Sequence, residues 1–248
     1  MAAARTAVIV QARYASTRLP GKVLEKIDSR SVLEHVLHRC RAIDGADVVC
    51  CAVPDARDSD PVAAAAESLG VAVYRGDQHD VLDRYYRAAS QLGAGIVMRV
   101  TSDCPLIDPE ICAAVLRLRT SAGADYACNN MPRSGPHGLD CEAFTFAALE
   151  RAHREARDAH SREHVTPWLR SHPDLARASL ERAPAGTELR WTLDYPADLA
   201  FFRKLAELLP PWPAIPTTAQ LIRLLAAHPQ IVAINSHLHE ATTRQGRS

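Results

Sequence analysis

Val8-Ile9-Val10-Gln11-Ala12-Arg13-Tyr14-Ala15-Ser16-Thr17-Arg18-Leu19-Pro20-Gly21-Lys22 joins an apolar, β-branched run directly to a loop crowded with anion-binding groups. Val8, Ile9 and Val10 have the character of a strand covered on both faces, where no polar alternation survives. Beyond Gln11 the chemistry changes. Arg13 and Arg18 can fork onto phosphate oxygens, Ser16 and Thr17 can donate hydroxyl protons, and Lys22 can deliver a point charge. Pro20 stiffens the turn, and Gly21 lets a backbone amide come close to an anion. The Walker pattern is absent. On residue types alone the loop reads equally as a phosphate cradle or as a solvated basic loop after an ordinary strand.

Outward from this stretch, the pattern alternates between strand and helix. Apolar residues recur at helical spacing over 31–43, with Ser31 placed to cap. A second apolar strand covers 47–53, and Pro61 opens an alanine-rich helix that stops at Gly70. A third strand, 71–74, leads into Arg75-Gly76-Asp77. A helix over 80–93, a strand over 96–101 and a helix from 109 to about 120 complete the regular part. This order predicts an α/β fold in three α/β/α layers, with a mainly parallel sheet whose ligands bind beyond the carboxyl ends of the strands. Past 125 the reading is less regular. Strands are expected at 126–129, 139–144 and 189–194, and helices at 145–156, 163–170, 196–209 and 218–227. One domain over 1–235 is expected, with a polar tail, 236–248, that frays.

The totals exclude several classes. Lysine plus arginine equals aspartate plus glutamate, 29 each among 248 residues, so no overall field exists to hold nucleic acid or an anionic membrane. No charged-then-apolar leader opens the sequence and no apolar run is long enough to span a bilayer, which predicts a cytoplasmic protein. The seven cysteines (Cys40, Cys50, Cys51, Cys104, Cys112, Cys128 and Cys141) contain no Cys-x-x-Cys pair, and read as reduced, mostly buried thiols.

Two carboxylates end predicted core strands: Asp103 after 96–101 and Asp194 after 189–193. Such a pair suits a hard divalent cation, and each residue also suits a helix cap. Asp108 before Pro109 reads as a cap and Asp198 as a first-turn dipole partner. His160 and His164 have the i, i+4 spacing of a zinc pair, but they read better as a polar helix face. Trp168, Trp191 and Trp212 are well separated and read as packing residues, not as a nucleic-acid ladder.

The order of residues in the opening loop, Gln-Ala-Arg-x-x-Ser-Thr-Arg-Leu-Pro-Gly-Lys, resembles the signature of the cytidylyltransferase family that includes the spore-coat polysaccharide protein SpsF and the CMP-Kdo and CMP-sialate synthetases. The resemblance continues through Val-Thr-Ser-Asp-Cys-Pro-Leu-Ile-Asp, Glu-His-Val-Thr-Pro and Thr-Leu-Asp-Tyr-Pro-Ala-Asp-Leu, and the SpsF branch looks nearest. It implies a Rossmann-like fold of the nucleotide-diphospho-sugar transferase type. It also implies transfer of CMP from CTP to an acidic sugar with release of pyrophosphate, in polysaccharide biosynthesis. Lys22 would then lie near the transferring phosphate and Arg13 on the phosphates, with Gln11, Ala12 and Ser16 nearby. Asp103 and Asp194 would hold Mg2+, and Asp103 would count with Lys22 and Arg13 as catalytic. Base and ribose recognition would fall at Arg75 and in the adjoining segment Asp80, Val81, Leu82, Asp83 and Arg84, with Asp80 and Leu82 as its contacts, and the acceptor at His137, Asp140 and Glu142. Relatives are often homodimers. Ala15 and Ser102 stand where the family commonly has glycine, on either side of the expected crevice.

Three other readings compete. The acceptor could be a phosphonate or a polyol phosphate. A glycosyltransferase working from a nucleotide sugar would carry Asp-x-Asp after a core strand, which Asp103-Cys104-Pro105 does not provide. A binding protein that had lost its chemistry would lack the cations or carboxylates, yet Lys22, Asp103 and Asp194 are all present.

Overall fold

Four parallel strands carry the opening motif at their centre: β1 (Thr6–Gln11), β2 (Val48–Pro54), β3 (Ala72–Gly76) and β4 (Ile96–Thr101). The computed structural model describes residues 4–181, 183 and 185–239. Three more strands, β5 (Tyr126–Cys128), β6 (Glu142–Thr145) and β7 (Arg177–Ser179), extend the sheet to the order β3-β2-β1-β4-β6-β5-β7. Strand β6 runs antiparallel to both β4 and β5, and β7 is parallel to β5.

The helices between the parallel strands are α1 (Val32–Arg41), α2 (Asp60–Ser68) and α3 (Val81–Gln91), and α4 (Pro109–Ser121) follows β4. Then come α5 (Phe146–Glu155), α6 (Ala159–His164), α7 (Pro167–Ser171), α8 (Pro196–Ala206), α9 (Thr218–Ala226) and α10 (Pro229–Val232). Alternate residues of one strand feed opposite cores. Val8 and Val10 pack with α1, α4 and α8 side chains such as Val36, Val115 and Phe201. Ala7 and Ile9 pack with Leu82, Tyr85 and Leu149 of α3 and α5. Because both faces are covered, β1 has no polar alternation, and its fully buried run needs both helix layers to be stable.

The strand order reverses between β1 and β4, which are neighbours in register from Thr6↔Ile96 to Gln11↔Thr101. The loops leaving these two strands therefore diverge and open a crevice at their carboxyl ends. Local caps fix what surrounds it. Ser31 and Glu34 form a reciprocal capping box on α1, and Asp108 caps α4 through the amides of Glu110 and Ile111, the role expected of it.

Several expectations are corrected. The stretch 189–194 is extended but is not a sheet strand. Its bonds go to a single bridge with His137 (Trp191 N to His137 O, 2.6 Å) and to the Asp103 carbonyl (from Leu193 N, 2.8 Å). Gly138, at φ +113°, allows this approach, since a β-carbon there would overlap the Trp191 carbonyl. The sheet closes instead on the short edge strand β7. The expected 163–170 helix is broken in two at Val165, which sits at φ +71° between α6 and α7. Arg75 lies within β3, not after it, opposite Val53. Residues 236–239 are helical where fraying was expected, and 240–248 lie outside the described residues.

Candidate active site

Lys22 begins a short 3-10 turn just after Gly21, whose left-handed backbone (φ +70°) reverses the loop leaving β1. The reversal returns the chain toward the sheet: Gly21 N donates to Tyr14 O (3.0 Å) and Lys22 N to Leu19 O (3.2 Å). The Lys22 ammonium thereby reaches the crevice with all three protons used. Nζ donates to Asp103 Oδ2 (2.9 Å), Asp194 Oδ1 (3.0 Å) and the Leu193 carbonyl (2.7 Å). Two carboxylates from distant parts of the chain thus meet at one point.

Asp194 is held from behind. Arg190 donates to Asp194 Oδ2 (3.0 Å) and pairs with Asp198 (2.9 Å), and Asp198 in turn accepts the amides of Asp194 and Tyr195. Arg18 closes the front at 2.6 Å from Asp194 Oδ1. Burial alone would push the Asp194 carboxyl up, but the Lys22 ammonium and Arg18 outweigh it and hold the group down at about 2. Asp103 is likewise lowered: burial opposes ionisation, and Lys22 and the Thr101 hydroxyl overcome it. The same pairings raise Lys22 against its own desolvation. All three groups are charged at neutral pH.

The cleft around them has a volume of about 240 Å3 and is floored by Gln11, Ala12, Thr101 and Ser102. Of the residues expected at a site, Gln11, Ala12, Arg13, Ser16, Lys22, Asp103 and Asp194 all line it. Others do not. Leu82 is fully buried in the core beneath α3, and it is the neighbours Val81 and Arg84 that face the cleft. Arg75 pairs with Asp60 at 2.8 Å on the far side of β2. Asp80 caps α3 and is bound by Arg162, in a shallow pocket beside the cleft that shares Arg13, Val81 and Glu163 with it.

None of the expected acceptor residues lines the cleft. Asp140 pairs with Arg133 at 2.6 Å. The His137 backbone is bridged to 189–191, and burial, helped by Arg133, pushes its imidazole down to about 4, so it is neutral. Glu142 is the clearest correction: it is 1% exposed and accepts from Arg99, Arg170 and the Tyr126 hydroxyl. Ala15 does not line the cleft, whereas Ser102 does.

Thr17 and Arg18, anion-binding groups of the opening loop, line the cleft too, and so do Arg84 of the segment expected to frame the base and Glu163 and His164, which open the Glu-His-Val-Thr-Pro element. Glu163 and His164 reach it because α6 stops abruptly at the strained Val165, a conformation a β-branched residue adopts only when its surroundings impose it. Two buried polar atoms in the cleft wall, Gln11 Oε1 and Arg84 Nε, have no protein partner. Such atoms are costly unless a ligand engages them.

A crevice at the sheet's switch point, rimmed with cations and holding two convergent carboxylates, has the makings of a nucleotide site, and comparison with known proteins agrees. The family model for cytidylyltransferases matches residues 7–208, a span that holds every cleft residue. The chain belongs to the cytidylyltransferase family. It is 30% identical to the spore coat polysaccharide biosynthesis protein SpsF of Bacillus subtilis, over 89% of this chain and 94% of that protein. An uncharacterized protein of Methanocaldococcus jannaschii, MJ1063, is 32% identical over 96% of this chain and 97% of its own. Among solved structures, a cytidylyltransferase from Leptospira borgpetersenii superposes with a TM-score of 0.87 at 25% identity, covering 93% of this chain and 97% of that one. The three-layer fold and the family reading drawn from the opening motif are both supported. No helix among the described residues is long and apolar enough to cross a membrane.

Proposed function

We propose that this cytidylyltransferase transfers CMP from CTP to a hydroxyl of an acidic sugar, releasing pyrophosphate, in the assembly of surface polysaccharide. The observation that carries the reading is the meeting of Lys22, Asp103 and Asp194 at one point of the cleft. The acceptor is inferred from the likeness to SpsF and to the CMP-Kdo and CMP-sialate synthetases.

Charge is the central difficulty of the reaction. The cleft lining offers four cations (Arg13, Arg18, Lys22 and Arg84) against three carboxylates (Asp103, Glu163 and Asp194), a surplus of one positive charge. That is too little for a triphosphate. Asp103 and Asp194, converging within 3.0 Å of one ammonium, form the hard-oxygen pair that suits Mg2+. When bound there, the ion would supply the missing positive charge and polarise phosphate oxygens.

The chain's own residues then bind and orient. Arg13 and Ser16 take phosphate oxygens, and Arg18 and Lys22 exchange their carboxylate partners for phosphate as the nucleotide enters. The acceptor oxygen attacks the α-phosphorus, and the bond from that phosphorus to the bridging oxygen breaks. The electron pair leaves with pyrophosphate, and the hydroxyl proton passes to water. Lys22 stabilises charge that grows on the transferring group, the kind of preorganised contact on which such reactions depend. We further place the enzyme in the cytoplasm as a homodimer, checkable by light scattering.

The test is the product. Incubation with CTP, Mg2+ and a panel of acidic sugars, phosphonates and polyol phosphates, read by phosphorus NMR, should give a phosphodiester signal and pyrophosphate with an acidic sugar. Turnover confined to phosphonates or polyol phosphates would overturn the acceptor assignment.

A further inference from the structure

Behind the catalytic loops lies a second cavity, of about 130 Å3, whose floor is Arg39 of α1. Arg39 is 5% exposed, and its one hydrogen bond is a long contact from Nη1 to the Ile107 carbonyl (3.3 Å). Among the described residues no carboxylate lies within ion-pair distance of it. Of the two other described arginines buried below a tenth, Arg190 pairs with Asp198 and Arg84 faces the nucleotide cleft. Asp108 is the nearest negative field, but its oxygens are engaged by the amides of Glu110, Ile111 and Thr218 and by the Thr218 hydroxyl. Burial outweighs this field and pushes Arg39 down to about 10, still charged at neutral pH.

The walls suit a small occupant. His38 packs on the Trp212 ring at 4.0 Å between centroids, His35 meets its edge at 5.6 Å, and Arg30 lies over it at 4.3 Å. Leu106 and Phe202 close the apolar side. Asp28 also lines the cavity: its Oδ1 accepts from the Arg30 amide (2.7 Å) and meets the His35 ring (3.3 Å), and its Oδ2 faces the Arg30 guanidinium at 3.7 Å, which balances its charge. The imidazoles are engaged, His35 Nε2 with Asp28 Oδ1 (3.3 Å) and His38 Nε2 with the Pro213 carbonyl (2.9 Å), so the match to an oxyanion rests on the nearly buried guanidinium, which has one long bond and can grip such a group with two parallel ones. The volume is about half that of the nucleotide cleft.

We propose that this pocket, floored by Arg39 and walled by His35, His38 and Trp212, is a second anion site that takes a small oxyanion, phosphate or carboxylate, and is separate from the nucleotide cleft. Its position gives the occupant leverage. Leu106 belongs to the loop that carries Asp103, Ile27 comes shortly after the turn that carries Lys22, and Phe202 lies on α8, which starts just after Asp194. An anion held there braces all three carriers of the active constellation from behind.

Calorimetric titration with inorganic phosphate and, separately, acetate tests this on the full chain. Wild type should show two classes of phosphate site, of which Lys22→Ala weakens one and Arg39→Met abolishes the other. Should Arg39→Met fail to fold, His38→Glu on the half-exposed wall places a negative charge at the mouth and should weaken that same class at least tenfold while leaving the other intact. Phosphate binding with acetate silent identifies a phosphate site, and binding of both identifies a general oxyanion site. One class of phosphate site in wild type, or a second class unmoved by either substitution, overturns the proposal.

Discussion

Two clusters in this molecule pair carboxylates with cations drawn from distant parts of the chain, and only one of them opens to a cleft. In the cleft, Asp103 and Asp194 share Lys22 while keeping 27% and 15% of their side chains exposed. Inside the second core, Glu142 accepts from Arg99 (2.6 Å), Arg170 (2.5 Å) and Tyr126 (2.5 Å) with 2% of its side chain exposed. The chemistry is the same and the access differs. A ligand can displace Lys22 and Arg18 from their carboxylates, because the loop that carries them opens to solvent. Nothing can enter between Glu142 and its arginines, which tie β4 and β6 to α7 as a strut. Strong pairing alone therefore does not mark function; pairing that a ligand can exchange does.

The widest separation between the clusters should appear on substitution. Lys22→Ala should lower turnover by about two to three orders of magnitude, as when a preorganised charge stabiliser is removed. Steady-state pyrophosphate release measures it, and near-full activity would remove the cleft's claim. Glu142→Gln should do the converse. Leaving Arg99 uncompensated in the interior, with Arg170 one-third open to screening water, should cost about 3 kcal/mol in urea unfolding, while the folded fraction keeps its turnover within a few-fold.

Acid should strike the strut as well. Folding lowers the Glu142 carboxyl from its ordinary 4.5 to about 2, because Arg99 and Arg170 outweigh its desolvation. Its stabilisation is complete above about 4.5 and is lost as pH falls toward 2. Wild-type stability should fall through that window, and Glu142→Gln should flatten this part of the curve. Asp194 falls in the same range, so the flattening should be partial. The smallest effect belongs to Arg75. Its pair with Asp60 is half open to water, so Arg75→Ala should shift stability by about 1 kcal/mol or less and leave the KM for CTP unchanged. A several-fold rise in that KM would return Arg75 to the site.

The contrast also explains which parts of the structure are legible in the sequence. β1 and β2 are continuous apolar runs and β4 is one broken only by Arg99, so local pattern and tertiary environment agree on them. The loop from Gln11 to Lys22 and the aspartates after it are legible because strand ends define where ligands bind. Helix phase is harder to read: Leu82 and Val81 are neighbours in one core, yet only Val81 also reaches the cleft. Glu142 is misplaced by its local pattern because its surroundings are set by partners from other elements. Its register opposite Arg99 on β4 cannot be seen from residues 139–144 alone. Strand β7, Arg-Ala-Ser, carries no apolar signal, and it exists because β5 offers an edge. The backing of Asp194 by Arg190 and Asp198 leaves only a trace, a charge every fourth residue astride a helix start.

The most direct test of the account is pyrophosphate release from each of the four nucleoside triphosphates with Mg2+ and an acidic-sugar acceptor, in wild type and in Asp103→Asn. The account predicts release from CTP alone and a collapse of that rate in the variant. Release that favours UTP or GTP, or that persists without the Asp103 charge, would contradict it.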